Sequence, residues 1–202
     1  ADVDLGRAGL QAELFPKRKP CVLLRGVPMK VDGEEFDDGM ILKALWAQNV
    51  KDVDGEEFKA NYCRIKRRIP WGTAGTNARR MCNIVLEVEP RLRIRLLQQE
   101  SVYLSWYRCG VEDHVEVVKC YRCGGIGHIS LRCRQCGEGE KCCRICLDKN
   151  HLQRDCPNRA NPTCGACKDL HVDFGHSAGG KGCEAYRRAV AGLMVTTDYG
   201  GH

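Results

Sequence analysis

Aromatic side chains are scarce in this chain: four Phe, three Trp and six Tyr make up 6% of its 202 residues. Long apolar runs are missing, and no stretch approaches the roughly eighteen apolar residues of a membrane-crossing helix, so no membrane association is expected. No secretory signal is expected either, because Asp2, Asp4 and Arg7 interrupt the opening. With it goes the oxidising context that a disulfide-stapled scaffold needs. The chain starts at Ala1 rather than Met, which reads as a fragment of a longer intracellular protein of the cytoplasm and nucleus. There is no Gly-rich phosphate loop, Ser/His/Asp set or pair of carboxylates in catalytic spacing, so the chain is read as non-enzymatic and without a small-molecule substrate.

Cysteine is what the chain has in excess. Eleven of its fifteen Cys lie between Cys120 and Cys183; only Cys21, Cys63, Cys82 and Cys109 lie upstream. Composition therefore divides the chain into a flexible tail (1–19), an ordinary domain (20–118), a Cys/Gly-rich array (119–184) and a C-terminal tail with room for a short helix (185–202). The flanking prolines of Pro16-Lys17-Arg18-Lys19-Pro20 argue for an extended lead-in.

Within 20–118 the pattern alternates. The apolar run 21–28, stopped by Gly26 and Pro28, predicts a buried strand. Asp32 and Glu35 have capping-box spacing ahead of Phe36, Met40, Ile41, Ala44 and Leu45, which recur at helical intervals up to Gln48. Asp54 and Glu57 repeat that spacing before a weaker helical turn. Residues 62–69 and 79–88 predict a long hairpin, the second arm placing Cys82, Ile84, Leu86 and Val88 on one face and Asn83 and Glu87 on the other. Pro90 suits the first turn of a helix through Leu92, Leu96 and Leu97. Strands over 102–107 and 115–119 finish the domain, with Trp46 and Trp106 expected in the core. The fold class is thus α+β: a β-α-β-β-α-β domain, ferredoxin-like or RNA-recognition-motif-like, followed by small metal-held units with little regular secondary structure.

Charge is segregated in this domain. Residues 32–57 carry nine acidic side chains against Lys43 and Lys51, and residues 64–95 carry nine basic ones against Glu87 and Glu89. One reading is a pair of solvated faces. The other is a basic hairpin that touches phosphate through Arg64, Lys66, Arg67, Arg68, Arg79 and Arg80, with Trp71 at its Gly-rich tip stacking on bases or folded back on the sheet, and an acidic side left for a protein partner.

The cysteines fall in a repeated spacing. Cys120-x2-Cys123-x4-His128-x4-Cys133 recurs as Cys143-x2-Cys146-x4-His151-x4-Cys156. Zinc takes four N/S ligands in a tetrahedron, and three thiolates with one imidazole close the shell, so the ions are structural rather than catalytic. Gly124 and Gly127 supply the positive φ of the tight reversal that brings His128 round, and Asn150 stands before His151 as Gly127 does before His128. A third site follows at Cys164, Cys167 and Cys183, completed by His176 or by His171. His176 is preferred because Gly175 precedes it. Three Zn2+ ions are expected, and Cys136 and Cys142 are left as spare thiols.

With Tyr121 after its first Cys and Gly-Gly-Ile-Gly-His-Ile following the second, the first unit resembles the zinc knuckle of retroviral and retrotransposon Gag proteins. From Pro20 to Cys183 the chain is similar to the Gag-like first-open-reading-frame protein of insect non-LTR retrotransposons, in which an RNA-recognition-motif-like domain precedes three CCHC knuckles, the last with a stretched His–Cys interval as in 176–183. The resemblance implies binding of the element's own RNA, ribonucleoprotein assembly and nucleic-acid chaperoning; RNA and single-stranded DNA are the expected ligands, with a reverse-transcriptase-bearing protein as a partner. The alternatives are a protein-interaction or assembly module, in which the RNA-recognition-like domain self-associates or docks a partner, and a cellular CCHC RNA-binding regulator. Departures are visible. Arg144 stands where the first knuckle has Tyr121, Leu147 replaces Gly124, and the third knuckle has Gly165 at the aromatic position. The strand runs 22–27 and 82–88 also lack the aromatics on which RNA-recognition sheets stack bases.

Ten basic and six acidic residues give 120–183 a formal +4, but each site of three thiolates and one Zn2+ is a net −1, leaving about +1. Affinity must then come largely from short-range contacts: Tyr121 and Ile129 as an apolar platform, Arg122 and Arg132 on phosphate, and Arg144 and Leu152 at the matching places of the second knuckle.

Overall fold

The computed structural model describes residues 16–50, 62–70, 81–137, 140, 142–180 and 182–200. Its first part is a five-stranded antiparallel sheet in the order β4-β5-β1-β7-β6, formed by β1 (Cys21–Pro28), β4 (Cys63–Pro70), β5 (Met81–Val88), β6 (Ser101–Leu104) and β7 (Tyr107–His114). A small hairpin of β2 (Lys30–Val31) and β3 (Glu34–Glu35) leads into helix α1 (Asp38–Leu45), which continues as a π-helical turn over Trp46–Val50. Helix α2 (Pro90–Gln99) joins β5 to β6.

Alternation along the strands builds the core. Val22, Leu24 and Val27 of β1 and Ile84, Leu86 and Val88 of β5 are fully buried, clustered with Ile41 and Leu45 of α1 and Leu92 and Leu96 of α2. Each such aliphatic side chain contributes roughly 1.5–3 kcal/mol by leaving water. β1 accommodates a bulge between Leu24 and Val27, where Gly26 takes φ +69° and donates its N–H to Asn83 Oδ1 at 3.2 Å. The opposite face is mixed: Leu23 and buried Val85 pair across it, and Arg25 is paired to Glu112 at 2.8 Å.

Several expectations shift. Asp32 is not a helix cap: it occupies the β2–β3 turn at φ +52°, and the cap is Asp37, whose Oδ1 accepts the Met40 N–H at 2.8 Å. The final strand is Tyr107–His114 rather than 115–119, because the tight turn at Ser105 (φ +57°) and Trp106 folds the chain into a β6–β7 hairpin. Trp106 sits at that turn and is 80% exposed, contrary to its expected place in the core; Trp46 is half-buried against the core, its ring 5.7 Å from Tyr62. The expected helical turn at Asp54–Glu57 lies outside the described residues.

The free edge of β6 is closed by side chains. Asn49 exchanges hydrogen bonds with the backbone of Tyr103 (2.7 and 2.8 Å), and Gln48 with that of Ser105 (2.8 and 3.2 Å). Donors and acceptors that would otherwise template another strand are thereby occupied.

After β7, residues 115–118 lead straight into the Cys-rich array. The C-terminal segment forms helix α4 (Glu184–Thr196) and then returns to the sheet domain. Arg18 N–H donates to Thr196 O and Asp198 N–H to Arg18 O, both at 2.9 Å. The Arg93 guanidinium, held by Asp113 at 2.6 Å, lies 4.5 Å from the centre of the Tyr199 ring. Among the described residues no helix is long and apolar enough to cross a membrane.

Candidate metal centres

The first knuckle is wound by local hydrogen bonds. Gly124 N–H donates to Cys120 O and Cys120 N–H to Gly125 O, both at 2.8 Å, closing a turn with Gly124 at φ +73°. Gly127, at φ +86°, reverses the chain so that His128 faces the same interior, and a 3-10 turn over Ser130–Arg132 brings up Cys133. The second knuckle repeats this: Leu147 N–H donates to Cys143 O at 2.8 Å, and a 3-10 turn over Gln153–Asp155 presents Cys156. Leu147 takes φ +66° where the first knuckle has glycine. Asn150 does not adopt the positive φ its place suggested; its N–H instead donates to Asp148 Oδ1 at 2.7 Å. The third unit is built differently, with Cys164 before the short helix α3 (Gly165–Asp169), Cys167 inside it, and Cys183 as the residue that starts α4.

Three groups of four donors result: Cys120, Cys123, His128 and Cys133; Cys143, Cys146, His151 and Cys156; Cys164, Cys167, His176 and Cys183. Within each, all ligand atoms lie within 4.8 Å of one another. His176 is therefore the fourth member of the third group, and exposed His171 lies outside it.

Donor spacing tests whether zinc fits. Bonds of about 2.3 Å to sulfur and 2.0 Å to nitrogen imply tetrahedral edges of roughly 3.8 Å between sulfurs and 3.5 Å between sulfur and nitrogen. Cys146–Cys156, Cys167–Cys183 and Cys164–Cys183 are separated by 3.6, 3.7 and 3.8 Å between sulfurs. Cys123 Sγ lies 3.4 Å from His128 Nε2 and Cys146 Sγ 3.3 Å from His151 Nε2. Among the described residues His176 Nε2 is buried without a hydrogen-bond partner, as a metal-directed nitrogen would be. The donors thus fit a structural Zn2+ at each group.

Electrostatics point the same way. Burial opposes ionisation of Cys120, but N–H groups of Cys123 and Arg122 and the neighbouring thiols outweigh it and pull the thiol down to about 6. Cys183 is likewise lowered to about 6, against its burial, by the N–H groups of Gly179 and Tyr186. Their neighbours move the other way: burial, with the adjacent thiols, pushes Cys123 and Cys164 up to about 12. In the first and third groups one thiol is thus lowered and a neighbour raised, the pattern expected where adjacent thiols compete for a single negative charge, and a cation between them would offset that repulsion.

The three units pack on one another. Thr163 N–H donates to Ile145 O at 2.6 Å, and Gln135 Nε2 to Asp169 Oδ2 at 2.7 Å. The stem of Arg144 lies against Gly124, where an added Cβ would meet its Cβ and Cγ at 3.0 Å. Gly165 is similarly closed over by Leu147 and Gln135, and Ile126 of the first knuckle packs into the third apolar cluster. Cys136 and Cys142 are not spare thiols: contrary to the expectation of a chain without disulfides, they form one in the linker between the first two knuckles, where Cys142 N–H bonds Arg122 O at 3.2 Å and Arg122 reaches Gly137 O at 3.0 Å.

The other residues singled out in the sequence are placed as follows. Tyr121 is 76% exposed, Ile129 and Leu152 are partly exposed, and Arg132 and Arg144 are exposed. Arg122 turns toward the disulfide linker. On β4, Arg64 pairs with Glu87 at 2.6 Å, Lys66 and Arg67 with Glu116 at 3.0 and 3.2 Å, and Arg68 reaches Asp38 and Phe36 O beside the helix layer. Trp71, Arg79 and Arg80 lie outside the described residues. Leu131, 88% exposed beside Arg132, is an apolar surface residue the spacing did not single out.

No family model matches the chain, and no solved structure matches it. An uncharacterized protein of Schizosaccharomyces pombe, C683.02c, is similar at 32% identity over 87 residues, covering 36% of this chain and 36% of that protein. The chain spans about a third of the length of this curated relative.

Proposed function

We propose that the chain is a non-enzymatic Gag-type protein that binds RNA and single-stranded DNA through zinc knuckles, for ribonucleoprotein assembly and nucleic-acid chaperoning inside the cell. The observation that carries this reading is the closed Cys3His shell with an exposed aromatic beside it: Tyr121, 76% exposed, flanks the first group of donors. A shell of four protein ligands leaves no open position for a catalytic water, which favours a structural role for each ion. A surface Tyr with adjacent Ile129 and Arg132 offers stacking and phosphate contacts, worth roughly 1–3 kcal/mol per stacked base.

The strand order supports the RNA-recognition-motif-like reading of the sheet domain. The connection through α1 spans β1 to β4 with β5 between them, and the one through α2 and β6 spans β5 to β7 with β1 between them. Because Arg64, Lys66, Arg67 and Arg68 each have a carboxylate partner within the chain, few cations are free on β4 for phosphate. A shallow salt dependence of binding follows.

The test combines elemental analysis with fluorescence anisotropy on a short unstructured RNA. Three zinc ions per chain, loss of binding on chelation and weakening in Cys123→Ser are expected. Binding that survives chelation unchanged refutes the reading. A second reading, self-association of the sheet domain, draws support from the exposed Trp106, Tyr103 and Tyr107 on the β6–β7 hairpin. Sedimentation of the full chain without nucleic acid, wild type against Trp106→Ala, tests it: a dimer lost in the variant supports it, and a monomer in both removes it.

A further inference from the structure

A cleft of about 560 Å3 lies where the sheet domain and all three knuckles meet. Tyr121 and Ile129 of the first knuckle give it an apolar wall. Arg144 and Gln153 of the second, Lys119 of the linker and Arg67 of β4 give it polar ones, and Ser177 of the third closes it. Its size is that of a small-ligand site, which typically measures roughly 300–1,000 Å3.

The second knuckle's contribution is set by packing rather than by its own ligand spacing. Arg144 occupies the position that Tyr121 has in the first knuckle, and its stem rests on Gly124 of that first knuckle. A bond from Thr163 to Ile145 O and the closure of Leu147 over Gly165 fix the second knuckle from the other side. Arg144 is thereby a wall of its neighbour's cleft and not the stacking platform of a separate one. Of the cations lining it, Arg67 is paired with Glu116 at 3.2 Å and the Lys119 ammonium lies 5.7 Å from the centre of the Tyr186 ring, which leaves the Arg144 guanidinium as the one without a carboxylate or ring partner among the described residues. An apolar wall beside one unpaired guanidinium and an amide suits a base carrying a phosphate.

We infer that this cleft is one composite site for a single unpaired nucleotide, its base against Tyr121 and Ile129, its edge met by Gln153 and its flanking phosphate on Arg144. The second knuckle then acts through the first. This rests on the nucleic-acid-binding reading above. RNA and single-stranded DNA share the chemistry the cleft recognises, so both are used as probes.

The experiment is fluorescence anisotropy of the zinc-loaded full chain with a short unstructured RNA and its DNA counterpart, with zinc content confirmed for every variant. Arg144→Ala should weaken binding about tenfold, near the lower end for the loss of one hydrogen bond to a charged group. Arg154→Ala, which removes the same charge from the same knuckle outside the cleft, should change it less than about twofold. In a double-mutant cycle, Tyr121→Ala and Arg144→Ala should be strongly non-additive, because both grip one nucleotide. Additive losses, or equal effects of Arg144→Ala and Arg154→Ala with both probes, overturn the composite site while leaving nucleic-acid binding intact. Failure of the zinc-loaded wild type to bind either probe is the distinct result that removes the parent reading, and this inference with it.

Discussion

Replacing His176 tests the third metal centre and its reach across the molecule. His176→Ala removes one of four donors from a group that already holds three thiols, Cys164, Cys167 and Cys183. Loss of a residue that merely supports a zinc ligand lowers affinity by about 10–100-fold, so loss of a ligand itself should exceed about 100-fold. The consequence should travel, because Cys183 begins α4 and α4 carries the C-terminal strap. Two backbone hydrogen bonds join that strap to Arg18, and Tyr199 lies under Arg93. At roughly 1 kcal/mol for each hydrogen bond and about 0.5–1 for the cation–π contact, releasing the strap should cost the sheet domain roughly 2–3 kcal/mol. Elemental analysis should find two zinc ions per chain in His176→Ala and three in His171→Ala, and the urea midpoint should fall only in the former. A His176→Ala protein that retains three ions, or a His171→Ala protein that loses one, would refute the ligand assignment. An unchanged urea midpoint in a two-zinc His176→Ala protein would refute the coupling through α4.

Three further outcomes are expected. Gly124→Ala places a side chain at φ +73° and against the Arg144 stem at 3.0 Å; a left-handed backbone alone costs roughly 1–2 kcal/mol, and chelator competition should show weaker zinc retention at the first site, whereas Gly33→Ala, with nothing near its Cβ, should leave zinc retention unchanged. The carboxyl of Glu116 is held below its ordinary range: its burial raises it, but the Lys66 hydrogen bond and the charges of Lys66, Arg67 and His114 prevail. A depressed carboxylate stabilises the fold above its unfolded value and loses that contribution as pH falls through the lower folded one. Denaturation midpoints followed from neutral pH to below the ordinary carboxylate range should therefore fall less in Glu116→Gln than in wild type; parallel curves would count against the network. Burial pushes Cys63 and Cys109 up to about 11, so native alkylation at neutral pH followed by peptide mapping should leave both unmodified, and rapid labelling of either would contradict their burial.

What could be read along the chain was whatever depends on near neighbours. Ligand spacing within each knuckle is such a property, since a Cys-x2-Cys turn and a glycine-assisted reversal are closed by hydrogen bonds spanning four or five residues. Strand alternation is another, and Cys82, Ile84, Leu86 and Val88 all face the core as their spacing requires. Expectations missed where a turn changed the register of what followed. The bend at Ser105 and Trp106 moved the last strand and put a tryptophan into solvent, although its apolar surroundings pointed inward. The Cys136–Cys142 pairing was missed for a different reason: the two lie only six residues apart, but the expectation of a reducing context left them as thiols.

By itself, then, the sequence determined the first two sets of metal donors, the three cysteines of the third and the alternating core of the sheet, which follow from the period of the backbone and the reach of short loops; that His176 rather than His171 completes the third set came from the structure. Only the tertiary structure decided that Arg144 belongs to its neighbour's cleft, that the β4 cations are already partnered, and that the chain's end straps back onto Arg18 and Arg93. Those contacts join residues far apart in sequence. Their geometry is fixed by packing between units, to which no local periodicity corresponds.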